Sequence, residues 1–323
     1  MPIIDMHCDT ISRDTFLDEG LRSNNLQIDL HKMNKAGYLL QNFALFVNME
    51  NDPNPLVSGL RMADMFHEEM AKNSDLIRPV TTYEEIMENH RQGLMSGLLT
   101  LEEGEICQGD VRILRDFYRL GVRMITLTWN HPNSIGAPNN YKTAPTVYGE
   151  PDLTGLSENG IAFIKEMERL GVIIDVSHLS DGGFYDVFSH TSKPFVASHS
   201  NARALAPHCR NLTDDMIRKM GERGCVTGLN YCKAFLNPFD DWSSAFGGAS
   251  DIARHARYIT DVGGIEVLGL GSDFDGCDND FSDCSKIHFL EDELKKQNFT
   301  SSEIDKIFYQ NVLRVYKDVL SIK

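Results

Sequence analysis

Three histidines and three carboxylates stand where short apolar runs of the sequence end. They are His7 and Asp9 in IIDMHCDT, Glu102 in GLLTLEEGE, His178 in VIIDVSH, His199 in PFVASHS and Asp273 in VLGLGSDFDG. These side-chain types ligate divalent metals and carry protons. In an extended strand, residues i and i+2 share a face. His7 and Asp9 can therefore hold one ion while Cys8 turns away. A carboxylate emerging from a buried apolar run is costly unless its charge is compensated. A metal would compensate Glu102, and its two oxygens could bridge two ions. Glu103 and Glu105 read instead as solvated loop acids. His178 and His199, on successive strands, suggest a second metal position. Imidazole suits zinc and carboxylates suit harder ions, so manganese or cobalt would also be tolerated. Asp273 is placed to act as a general acid/base, with Asp275 as its local rival or supporting partner. Arg210, in APHCRNLTDD, is either a planar fork for a substrate carboxylate or half of a surface salt bridge.

The elements that would position these groups are eight strand candidates: Ile3–Asp9, Gln41–Val47, Gly97–Glu102, Val122–Thr128, Val172–His178, Pro194–His199, Cys225–Asn230 and Val267–Asp273. Several are nearly continuous apolar runs, as parallel strands buried on both faces require. Helical periodicity separates them. Asp110–Leu120 and Leu156–Leu170 repeat apolar residues at amphipathic spacing, with Gly121 and Gly171 as caps. Ser301–Leu320 reads as one long helix with Ser301 or Ser302 near its N-cap. Strands alternating with helices imply βαβ units. Eight of them predict an α/β fold, a (β/α)8 TIM barrel, as one domain over residues 1–323 with reactive groups at the C-terminal ends of the strands. An open doubly wound sheet is the runner-up, but the GxGxxG turn of a dinucleotide site is missing.

Composition narrows the partners. Forty-seven acidic residues against 31 basic ones give a formal charge of −16. That balance argues against nucleic acid and against an anionic membrane surface. The seven cysteines are odd in number and contain no CxxC pair. Reduced thiols in a cytoplasmic protein are the expectation. The opening MPIIDMHCDT shows no basic segment followed by an apolar stretch, and no run approaches the roughly 18 apolar residues of a membrane span. His67-Glu68-Glu69 lacks the second histidine of HExxH, Asn211-Leu212-Thr213 is a sequon that matters only on secretion, and no nucleophile elbow surrounds a serine or cysteine.

The strings DMHCDT, TLEEGE, LTWNHPN, DVSHLS, ASHSNARALAPHCRNLTDD and GSDFDG, spread from residue 5 to residue 276, resemble the membrane dipeptidase (renal dipeptidase) family. The longest of them is the most specific. The resemblance implies a (β/α)8 barrel that hydrolyses small dipeptides, extending to those with a C-terminal D-residue. It implies two zinc ions, the first on His7 and Asp9, the second on His178 and His199, with Glu102 bridging. Arg210 would contact substrate and Asp273 would handle protons at the scissile amide. A hydroxide shared by the two ions would be the nucleophile. A homodimer is consistent with the family, although no interface is legible in the sequence. One departure bears on substrate range. Family members often carry a histidine in a stretch beginning Leu-Thr-His, where this chain has Leu127-Thr128-Trp129. Trp129 offers an indole N–H instead, and His131, two residues on, would share its side if the strand continued. Rival readings are a related amidohydrolase acting on N-acyl amino acids, cyclic amides or bases, and a non-catalytic scaffold with a degenerate site. The intact ligand set argues against the last.

Overall fold

A computed structural model describes residues 1–13, 18–139 and 144–321. Nine strands run parallel: β1 (Ile3–Asp5), β2 (Tyr38–Phe46), β3 (Ile77–Val80), β4 (Met95–Glu102), β5 (Val122–Thr126), β6 (Ile173–Asp175), β7 (Val196–Ala197), β8 (Val226–Leu229) and β9 (Leu268–Leu270). Eight of them close on themselves in the order β1-β2-β4-β5-β6-β7-β8-β9, because β1 pairs with both β2 and β9 and β2 pairs with β4. The fold is thus the (β/α)8 barrel, and closure excludes the open doubly wound sheet. The ninth strand, β3, is absent from the eight expected. It pairs with Met95–Leu98 on the β4 edge that β5 takes over at Leu99. Its sequence IRPV exposes Arg78 and Pro79, so it lacks the apolar continuity of the barrel strands.

All eight expected strands are present, but most are shorter at their C-terminal ends. β1 stops at Asp5 rather than Asp9, β6 at Asp175 rather than His178, and β9 at Leu270 rather than Asp273. Two buried aspartates explain much of this. The carboxylate of Asp5 accepts hydrogen bonds from the backbone N–H of His7 and Ser272 and from the Ser272 hydroxyl. Asp175 accepts from the N–H of Ser177 and Ser198 and from the hydroxyls of Ser198 and Thr126. Each aspartate ends an Ile-Ile-Asp triplet and collects N–H groups that would otherwise continue the ladder.

The helices follow their caps. Helix α1 (Val111–Arg119) starts from Asp110, whose side chain accepts from Arg112 N–H, and its C-cap is Leu120, one residue before the expected Gly121. Helix α2 (Glu158–Leu170) is capped by Ser157 and ends in left-handed Gly171. The last helical stretch runs from Ser301 to Leu320 as expected, with a π-helical turn inside it. Ser301–Asp305 begins at Thr300, with Glu303 completing a capping box, then a π-turn over Lys306–Gln310 precedes helix α3 (Asn311–Leu320). The π-turn re-aims α3 beneath the barrel. There Val312, Val315 and Tyr316 join Ile4, Leu40, Leu98, Met124, Ile173 and Val226 in one apolar cluster. The Tyr316 hydroxyl donates to Asn42 Oδ1 at 2.9 Å, and Asn311 donates to the carbonyls of Ile265 and Leu268. Among the described residues no helix is long and apolar enough to cross a membrane.

Two glycines, Gly228 on β8 and Gly271 just past β9, sit where nothing larger fits. A Cβ on Gly228 would lie 2.0 Å from the Ser198 carbonyl oxygen, and one on Gly271 would lie 1.8 Å from the same atom. Both obstacles are backbone. Gly228→Ala should therefore lower stability by about 3 kcal/mol, measured as a reduced denaturant midpoint with unchanged m-value.

Candidate metal centre and cavity

The six chemical side chains named from the sequence meet at the C-terminal mouth of the barrel. Glu102, the last residue of β4, is buried at their centre. Its two oxygens divide the histidines. Oε2 lies 3.2 Å from His7 Nε2, while Oε1 lies 3.1 Å from His178 Nε2 and 3.6 Å from His199 Nε2. On the Oε2 side, His7 Nε2 is also 3.6 Å from Asp9 Oδ2 and 4.0 Å from Asp273 Oδ1. The ligand atoms of His7, Asp9 and Asp273 all lie within 4.8 Å of one another, as do those of His7, Glu102 and His199.

Hydrogen bonding fixes which histidine nitrogens face the centre. Asn130 Oδ1 lies 2.9 Å from His178 Nδ1 and can only accept, so Nδ1 carries the proton and Nε2 a lone pair. Ser198 Oγ spends its proton on Asp175, so it accepts from His199 Nδ1 at 2.7 Å, leaving His199 Nε2 likewise unprotonated. Those two Nε2 atoms are 3.0 Å apart. Two lone pairs facing each other and a carboxylate oxygen cannot hydrogen-bond, and a cation resolves all three. On the other side, both nitrogens of His7 and Oδ1 of Asp9 are buried without a hydrogen-bond partner. These imidazole and carboxylate donors, converging at the barrel mouth, fit divalent metal.

Electrostatics follow from burial. Desolvation pushes the Glu102 carboxyl up to about 8, with His7 opposing. It also raises Asp273, with His7 again opposing. Burial holds His178 and His199 well below the usual imidazole range, aided by Arg210 and His7, so both stay neutral as ligands require. His7 is raised well above that range, because Glu102 and Asp9 outweigh its desolvation. The backbone is strained at the same place. His178 and Asp273 have φ of 68° and 62°, and Glu103 has φ of 104°.

A cavity of ≈ 290 Å³ opens over the centre. Phe46, Asn48, Trp129 and Asn130 line one wall. His208, Arg210, Cys232, Phe235, Trp242 and Cys277 line the other, with Arg13 at the edge. Arg210 is buried, not part of a surface salt bridge. Its guanidinium donates to Ser200 Oγ and the His199 carbonyl and sits over the Phe235 ring, 5.4 Å from its centroid. Among the described residues it has no carboxylate at ion-pair distance, and its Nε has no partner. Asp273 Oδ2 accepts from Asn230 Nδ2, and a Cβ on Gly276 would fall 1.9 Å from Asp9 Oδ2, so only glycine lets this turn approach.

Several readings change. Glu103 is fully buried, accepting from Trp129 N–H, Asn133 Nδ2 and Glu105 N–H, and Glu105 is held by Ser134. Neither is a solvated loop acid. Asp275 turns away from the centre to Thr10, Gln27 and Ile28, which makes it a loop anchor and no rival to Asp273. Trp129 faces the cavity, but His131 is not among the lining residues. Strand β5 ends at Thr126, so the i, i+2 rule fails for His131. It lies against the Trp129 ring and 4.0 Å from Glu50. Asn130, Ser198, Asp175 and Asn230, which orient the central groups, escaped sequence reasoning. The repeated Ile-Ile-Asp triplet was the available signal for Asp5 and Asp175.

Asn130→Ala should weaken metal binding about 10–100-fold, read by chelator competition. In metal-free protein, Glu102 and His7 hold protons more tightly folded than unfolded. Their contribution is present at lower pH and is lost as pH rises. The metal-free melting temperature should therefore fall between about pH 7 and pH 8, where unfolded histidines are already mostly neutral. Added zinc should abolish that fall.

The family model described as membrane dipeptidase (peptidase family M19) matches residues 1–323. The dipeptidase aclJ of Aspergillus oryzae is 30% identical over 91% of this chain and 70% of its own length. An uncharacterized dipeptidase of Schizosaccharomyces pombe is 32% identical over 93% of this chain and 73% of its own. A crystal structure described as the dipeptidase AC, a metallopeptidase of family M19, superposes with a TM-score of 0.90 at 25% identity, covering 100% of this chain and 99% of that one. A Rhodobacter sphaeroides metallopeptidase, solved with a phosphinate mimic of L-Ala-D-Ala, shares the fold with a TM-score of 0.88 at 24% identity, covering 99% of each. With the whole sequence matched, the chain belongs to the membrane dipeptidase family, peptidase family M19.

Proposed function

We propose that this protein is a two-zinc dipeptidase that hydrolyses the amide bond of small dipeptides. The observation that carries the reading is the division of Glu102, one oxygen toward His7 and Asp9, the other toward His178 and His199. Bound there, a pair of divalent ions supplies Lewis acidity and lowers the pKa of water toward about 7. Manganese or cobalt could substitute in the same donor set.

The chain's own groups do the rest. Arg210, buried beside the cavity without a carboxylate partner, takes the substrate's C-terminal carboxylate through its fork. Burial of that ion pair makes it selective for a free carboxyl end. As water adds to the scissile carbonyl carbon, its proton passes to Asp273 Oδ1. Asn230 anchors the other oxygen and so aims the free one. Asp273 then delivers the proton to the amide nitrogen, the C–N bond breaks, and two amino acids leave. The upward push on the Asp273 carboxyl suits a group that must both take and return a proton. Substrates with a C-terminal D-residue are included by likeness to the family.

Glu102→Gln should lose metal from both positions and abolish turnover. Asp273→Asn should keep two metals per chain yet lower kcat by about 10²–10⁴. Metal analysis alongside hydrolysis of a dipeptide panel, with N-acyl amino acids as the competing class, checks both. Normal dipeptide turnover by the two variants would overturn the assignment.

A further inference from the structure

One wall of the cavity is built from two aromatic rings placed by strand register. Phe46 on β2 is level with Glu102 on β4, and Glu102 is level with Thr126 on β5. Trp129 follows three residues after Thr126. The Phe46 and Trp129 rings meet edge to face with centroids 4.9 Å apart, bridging over the strand that carries Glu102. The Trp129 ring is 6.2 Å from that of His178, so this wall begins at the metal centre itself. Both residues line the cavity.

The buried cation of the cavity, Arg210, is on the other side. In the closed strand order β7 lies four places from β2, directly across an eight-membered ring. Arg210 follows β7. A ligand whose carboxylate reaches Arg210 and whose amide lies over Glu102 therefore points its remaining end at Phe46 and Trp129. The aromatic rings on the Arg210 side are already engaged. Phe235 packs beneath Arg210 and against His208, and Trp242 packs against His208 and Phe239. The cavity is at the small end for ligand sites, which favours one bulky side chain over two.

We propose that Phe46 and Trp129 form an apolar subsite for the side chain of the substrate's N-terminal residue, so that dipeptides beginning with an aromatic or large apolar residue are preferred. The proposal rests on the dipeptidase reading and deepens it by naming the substrate class. Stacking a ring on this wall buries apolar area on both partners and leaves no polar group unpaired.

The test uses the zinc-loaded full-length chain and two substrates that differ only at the N-terminal residue, L-Phe-Gly and L-Ala-Gly. The wild-type kcat/KM ratio should favour L-Phe-Gly by roughly tenfold or more. Phe46→Ala and Trp129→Ala should each move that ratio toward one. Damage to folding or metal loading lowers both rates together and leaves the ratio intact, and zinc content measured on each variant checks loading directly. A wild-type ratio at or below one, or a ratio preserved in both variants, overturns the subsite while leaving the dipeptidase reading standing. Failure to hydrolyse any dipeptide overturns both.

Discussion

A carboxylate buried among histidines and further carboxylates is costly until protons or a metal cation compensate it, and the architecture is organised around that fact. Glu102, Asp9 and Asp273 bring acceptors to a buried site at the foot of the cavity, where an uncompensated charge costs several kcal/mol. The tautomers of His178 and His199 are fixed so that both present acceptors as well. Each choice makes the metal-free state worse and the metal-loaded state better. The same logic explains the concentration of left-handed residues at Glu103, His178 and Asp273. Strain there persists because surrounding hydrogen bonds over-determine the backbone.

Support for the centre is repeated on two sides of the barrel. Asp5 and Asp175 end equivalent Ile-Ile-Asp triplets, and each receives the N–H two residues on, together with the N–H and hydroxyl of a serine from the adjacent strand. Those serines directly precede Asp273 and His199. One aspartate thereby aims His7 and Asp273, and the other aims His178 and His199. Positioning through packed, satisfied hydrogen bonds on strand ends holds ligands more tightly than loops could.

Most of the barrel and its central ligands were legible because they depend on local pattern. Continuous apolar runs ending in histidine or carboxylate named both the strands and the side chains that meet at their ends. What was not legible depends on partners far away in sequence. Glu103 reads in sequence as a loop acid, and only the distant Asn133 and Trp129 N–H explain its burial. The strand Ile77–Val80 was hidden by its exposed Arg-Pro centre. The π-turn at Lys306–Gln310 inside the C-terminal helix leaves no mark on its periodicity, since a single π-turn only rotates the apolar face. His131 was misplaced because alternation was extended past the real end of β5.

The site is also distributed along the chain in a way that bears on its birth. His7 and Asp9 come from the first strand's end, Asp273 from the last strand's, and the barrel interior is sealed from below by Asn311–Leu320. During vectorial synthesis, β1 must wait for β9 before its second edge is covered. An emerging polypeptide therefore carries the two histidines of the Oε1 side well before the floor of the barrel exists. Until β9 has been made, β1 displays an open sheet edge of the kind chaperones bind.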